Sequence, residues 1–129
     1  MTDFLITTCS AEKDDSPGLL PAIERYQHPR IQWVYLESRR LSRPMLILSG
    51  EFGLLAPLDP IPWYDHALQM EEVDGLMPRI EHKLRALEAE HLTFYARPAS
   101  EPGWAPYHAA LKGACQKAAV RLKWVPWKV

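Results

Sequence analysis

The sequence predicts one three-layer α/β domain, with a mostly parallel central sheet of about four strands flanked by helices. Three observations carry this. Short apolar runs rich in β-forming residues recur at 4–8, 45–48, 92–96 and 122–125. Segments with helical spacing lie between them. The 129 residues, 47 % of them hydrophobic, suit one domain of ordinary size spanning residues 1–129.

Composition narrows the function classes. The formal charge is −1, so the whole molecule is no polycation built for long duplexes. Cys9 and Cys115 form no CxxC, and no Cys/His spacing suits zinc. The sequence therefore predicts no metal and calls for no cofactor. The N-terminus lacks a basic n-region, and no apolar run approaches the roughly 20 residues of a membrane helix. The expectation is a cytoplasmic protein with free thiols and no membrane partner. Oligomeric state is left open.

Phe4-Leu5-Ile6-Thr7-Thr8 is the first and central strand. It ends in Cys9-Ser10 and a lysine, Lys13, which can present amides and one cation to an anion. The glycine pattern of a P-loop is missing. A short helix or turn runs from Pro21 to Gln27, and a second helix starts near Pro29 at its first position. Arg39, Arg40 and Arg43 near its end suit the helix dipole better than a binding patch. Met45–Leu48 is the second strand. A helix follows from about Met70 to Glu90, which Pro78 should end or kink. Leu92–Ala96 is the third strand. Tyr107–Val120 is a helix whose alanines and Gly113 should let it lie close to the sheet, with Cys115 as a small buried hydrophobe. Leu122–Val125 closes the sheet as an edge strand.

The stretch after the second strand draws most interest. Ser49-Gly50-Glu51 and Gly53 lead into a loop fenced by Pro57, Pro60 and Pro62, then Trp63-Tyr64-Asp65-His66. Open α/β sheets place ligands at the carboxyl ends of their strands. If the first two strands are parallel neighbours, Cys9, Ser10, Lys13, Ser49, Gly50 and Glu51 line one crevice, closed by Tyr64 and Asp65. The plainer alternatives stand beside this. Gly50 and Gly53 can serve a tight turn, Trp63 and Tyr64 can cap the core, and Asp65 can cap a helix or turn.

Asp65 and Glu51 are the candidate catalytic carboxylates. A carboxylate beside aromatic rings has a site for acid–base work, and a pair around a sugar suits N-glycosidic cleavage by analogy. Ser10 and Lys13 suit phosphate. Trp63 and Tyr64 can stack a base, and His66 lies within the same cluster. Cys9 is a candidate nucleophile with Lys13 or His66 nearby, but packing at the tight end of a strand is the favoured role.

Three blocks carry a resemblance. Cys9-Ser10-x-x-Lys13, Ile47–Leu55 (ILSGEFGLL) and Trp63-Tyr64-Asp65-x-x-Leu68 resemble a small bacterial and phage family with CSxxK, ILSAKYGLL and PYDxxL blocks. That family is distantly similar to the YaaA-type peroxide stress proteins. A looser likeness extends to the uracil-DNA-glycosylase-like superfamily, including the cysteine-serine-lysine domain of archaeosine synthases. Glu51 stands where the family carries lysine, Phe52 where it carries tyrosine, and Trp63 follows Pro62 in the second block. The loss of the lysine weakens phosphate binding at position 51. The resemblance implies a nucleotide or nucleic-acid connection. Two readings follow. One is an enzyme acting on a nucleotide, an N-glycosidic bond or a modified base. The other is a non-catalytic module that binds or senses a nucleotide or nucleic acid. The near-neutral charge favours a small nucleotide-like ligand.

Overall fold

The computed structural model describes residues 3–128. Its central sheet has five strands in the order β4-β3-β1-β6-β7. These are β1 (Asp3–Thr8), β3 (Met45–Ser49), β4 (Gly53–Leu55), β6 (His91–Ala96) and β7 (Arg121–Pro126). β1 pairs in parallel with β3 and β6, and β6 with β7. β4 folds back antiparallel on β3. The helices are α1 (Ala22–Arg25), α2 (Pro29–Leu41), α3 (Val73–Ala86) and α4 (Ala105–Ala118). A separate two-stranded ribbon joins β2 (Leu20–Pro21) to β5 (Pro60–Ile61).

The three layers follow from side-chain alternation along the strands. Phe4, Ile6, Leu46, Leu48, Leu92 and Phe94 face α3 and α4. Leu5, Met45, Ile47 and Tyr95 face α1 and α2. Most of β1 is buried, as expected of a parallel strand covered on both faces. β1 is central, with β3 on one side and β6 on the other. The loops leaving the carboxyl ends of β1 and β6 therefore diverge, and such a reversal of strand order opens a crevice.

Some elements differ from the sequence reading. β4 falls within the stretch read as loop, because three residues behind a glycine are too few to show a period. Pro78 does not end its helix, and α3 runs through it. Val73, Leu76, Ile80 and Leu84 are buried on either side of it, which holds both halves against the core. The helix read from Met70 begins instead with a 3-10 turn, Met70–Glu72. Gly113 accommodates α3 rather than the sheet, since a Cβ there would lie 2.4 Å from Met77 Sδ. Among the described residues no helix is long and apolar enough to cross a membrane.

Candidate functional site

β1 and β3 are in register from Leu5 opposite Met45 to Thr8 opposite Leu48. Cys9 and Ser49 therefore leave the sheet side by side, and the Cys9 amide donates to Leu48 O at 2.9 Å. A cavity of about 570 Å³ opens at the carboxyl end of β1. That size suits a small ligand. Cys9, Ser10, Lys13, Asp65 and His66 line it. Ser49, Gly50, Glu51, Gly53, Trp63 and Tyr64 lie outside its wall.

Those outer residues build the frame. The Ser49 hydroxyl accepts from the Glu51 and Phe52 amides at 3.1 and 3.0 Å. With both lone pairs taken, its own proton goes to Tyr64 Oη, 3.0 Å away. Tyr64 then donates to Tyr26 Oη at 2.5 Å. Burial pushes both phenols up from their usual range, so they stay protonated and the chain of hydroxyls keeps its direction. Gly50 has an ordinary φ, and its role is close approach. A Cβ there would lie 3.0 Å from the Leu68 backbone nitrogen and 3.1 Å from Tyr107 Oη. Gly53 has φ +76°, the turn conformation expected of it. Trp63 is half exposed.

Residues 62–67 form no regular structure. Side chains at alternate positions hold this strap. Tyr64 is held as above. His66 Nδ1 lies 2.6 Å from Glu51 Oε1, and Nε2 lies 2.9 Å from Glu72. Leu68 is buried, and its amide donates to Tyr107 Oη at 3.1 Å. The hydrogen bonds to Glu72 and then Glu51 raise the His66 pKa, and His66 lowers that of Glu72. Between these pegs Asp65 lines the cavity. Gln69 caps the following turn, so Asp65 does not serve as its cap.

The structure adds residues that the sequence reading did not single out. Arg30, in the first turn of α2, is 3 % exposed and lines the cavity. Its Nη1 donates to Thr7 Oγ1 at 2.5 Å and to Thr8 O at 2.9 Å. Its Nε is buried without a partner. Among the described residues it forms no ion pair within 4.0 Å, and its cation lies 5.0 Å from the Trp104 ring centre. Burial lowers its pKa to about 10, against smaller opposing effects of Cys9 and Glu12. Lys13 Nζ sits 4.5 Å from the Tyr64 ring centre and likewise forms no ion pair among the described residues. His28 caps α2 by accepting the Arg30 amide on Nδ1 at 3.0 Å, which leaves Nε2–H as a donor. Burial and then the Arg30 cation lower the His28 pKa. The first-turn amides of Arg30 and Ile31 bond to His28. The helix end thus contributes mainly a positive field rather than free donors.

Tyr107 and Trp104 complete the wall. Tyr107 Oη accepts from the Leu68 amide and from Cys9 Sγ, the latter at 3.6 Å. Burial raises its pKa, so its own O–H remains a donor. The loop from Arg97 closes the rim, with Arg97 paired to Glu101. One signal for Arg30 is present in the sequence. A Pro29 that opens a helix after the first strand points the first turn of that helix at the sheet's carboxyl edge.

No protein-family model, no curated protein and no solved structure matches the chain. The likeness to the bacterial and phage family therefore rests on the three sequence blocks alone.

Proposed function

We propose that the cavity at the carboxyl end of β1 binds a small nucleotide-like ligand, phosphate end inward. One observation carries this. Arg30 is a buried cation that lines the cavity without a carboxylate partner among the described residues. Burying an unpaired charge is costly, and an anionic ligand group would offset that cost with paired hydrogen bonds. Lys13 and the field of α2 add to the attraction. Asp65, without a partner among the described residues, suits a ribose hydroxyl. Trp104 offers an aromatic face for a base.

Two roles fit this site. In the first, the chain is an enzyme acting on the nucleotide, its N-glycosidic bond or a modified base. Asp65 is then the polar catalyst, and the Tyr107 hydroxyl is a proton donor at the wall. Glu51 acts only through His66, since it lies outside the cavity. In the second, the chain senses the ligand without reaction. A thermal-shift screen of nucleosides, their 5′-monophosphates and free bases tests the shared premise. Monophosphates should raise Tm and matching nucleosides should do so far less. A bound ligand at a hundredfold excess over Kd stabilises by about 2.7 kcal/mol. Equal responses to nucleoside and monophosphate would refute the phosphate-inward placement. Mass spectrometry of the stabilising ligand after incubation then separates enzyme from sensor.

A further inference from the structure

A second cavity, of about 610 Å³, lies on the other side of the β6–α4 connection. On α4 it is lined at Ala105, His108, Ala109, Lys112 and Gln116, one stripe at helical spacing. Opposite stand Leu122 and Trp124, alternate residues of edge strand β7. Phe94 and Cys115 form the floor, and burial pushes the Cys115 thiol up to about 12, so it stays a neutral apolar group. The walls are therefore mainly apolar and aromatic, with alanines leaving the room.

Among the residues that line it, Lys112 is the one lysine or arginine, and none is acidic. Lys112 is exposed and forms no ion pair among the described residues. From Pro102 to Val129 the chain has five Lys and Arg and no Asp or Glu, whereas the whole chain is net −1. His108 Nε2 lies 2.8 Å from Arg97 O and must donate to that carbonyl. In the neutral ring Nδ1 is then an acceptor with no partner among the described residues. His108 meets Phe94 and Trp124 edge-to-face at 5.1 and 5.7 Å between centres.

From these features we infer that this cavity is a second ligand site, for a small aromatic carboxylate carrying a ring N–H or hydroxyl. The ring system fills the apolar space, the carboxylate meets Lys112 and the donor meets His108 Nδ1. The site also has a route to the first cavity. Trp124 Nε1 donates to Ala96 O at 2.9 Å, and His108 donates to Arg97 O. Two walls of the second cavity thus hold the first residues of the loop that carries Arg97 and Trp104 into the first. Occupancy shifts that loop. The inference does not depend on what the first cavity binds.

An amide-proton NMR titration with indole-3-acetate tests it, with neutral indole-3-acetamide as control. The acid should move the resonances of His108, Lys112 and the Trp124 indole, followed by Arg97 and Trp104. It should bind about fivefold tighter than the amide, the upper worth of an exposed ion pair. Ala109→Leu, which fills the cavity, and Lys112→Glu should each abolish that preference. If Ala109→Leu does not fold, the surface change Lys112→Glu decides alone. The inference is overturned by absent shifts at millimolar acid, by equal binding of acid and amide, or by unchanged binding in the variants. Concentration-dependent shifts of the same residues with a dimer in sedimentation would assign the groove to a second copy and overturn it as well. Shifts confined to the second cavity would overturn the link to Trp104.

Discussion

Replacing Arg30 with methionine should cost the empty protein little and the bound protein much. Two opposing quantities set the first half. The lost hydrogen bonds run from a charged donor to Thr7 Oγ1 and Thr8 O. Such bonds are worth about 1.5–3 kcal/mol each. Thr7 Oγ1 keeps its bond to Tyr95 O at 2.7 Å, so chiefly the Thr8 carbonyl loses a partner. Against this stands the burial of the charge. The fall of the Arg30 pKa from the usual arginine value to about 10 corresponds to about 3 kcal/mol of penalty on the charged form. Its folded value is depressed, so this penalty is present in full below about pH 10 and is relieved only as pH rises from there toward the usual arginine value. At neutral pH the two sides nearly cancel, and methionine fills much of the arginine's volume. The expected change in stability is within about 1 kcal/mol, or about 4 °C in Tm. Truncating one partner of a buried charge pair typically costs 2–5 kcal/mol of binding. The variant's response to a 5′-monophosphate should therefore vanish at concentrations that saturate the wild type. Urea denaturation and thermal melts, with and without monophosphate, measure both halves. A loss of more than about 3 kcal/mol in the empty protein, with the ligand response preserved, would refute the reasoning and make Arg30 a structural brace.

Three other changes probe the frame and the strap. Tyr64→Phe removes the middle hydroxyl of the Ser49–Tyr64–Tyr26 chain and should cost about 1–3 kcal/mol in urea unfolding, with the cavity wall intact. His66 has a raised folded pKa, so its contribution is full below its usual 6.5 and is lost as pH rises through the folded value, while Glu72, lowered from 4.5, contributes above that value and is lost in acid. Tm should thus fall by about 2 °C from pH 6 to pH 8 through this exposed clamp, and His66→Gln should flatten that slope. Asp65→Asn should leave Tm nearly unchanged and weaken ribose-bearing ligands more than inorganic phosphate in a competition assay; equal weakening of both would remove Asp65 from the sugar.

The strands that carry the fold were legible because burial on both faces leaves continuous apolar runs, as at Met45–Leu48. The parallel placement of Cys9 beside Ser49 followed from strand–helix alternation. β4 was not legible. Gly53-Leu54-Leu55 gains its strand character only from pairing with β3. In the site, the cluster Ser49 to His66 stood out by residue type, yet type alone could not separate wall from frame. Tyr64 points its hydroxyl into a buried chain, whereas its neighbour Asp65 lines the cavity, and only the folded course of the strap separates the two. Arg30 was hidden for a related reason. Within PRIQWVYL it reads as a solvated helix cation, and only the packing of α2 against β1 buries it. Tyr107 looked like the start of a helix until Gly50 and Leu68 were brought against its hydroxyl.

Arg25 supplies the control for this reading of Arg30. Both are buried arginines whose Nε lacks a partner among the described residues, but both terminal nitrogens of Arg25 are spent on the protein. Its Nη1 donates to Asp14 O and Ser16 O at 2.7 and 2.9 Å, and its Nη2 to Gly18 O and Ile61 O at 2.7 and 3.2 Å. Four carbonyls on a loop and on β5 thus converge on one guanidinium, and none of these atoms lies in the cavity wall. Methionine there would leave several carbonyls unsatisfied at about 1–3 kcal/mol each. Part of this is recovered as the exposed loop 14–18 turns its carbonyls to water. Arg25→Met should therefore destabilise by about 3 kcal/mol or more, or fail to fold. A folded fraction of that variant should still respond to monophosphate with near wild-type affinity, since Arg30 and Lys13 are untouched. Arg30→Met should show the reverse pattern. If the two variants lose stability and binding in parallel, neither arginine is reserved for a ligand, and the first cavity loses its principal anion contact.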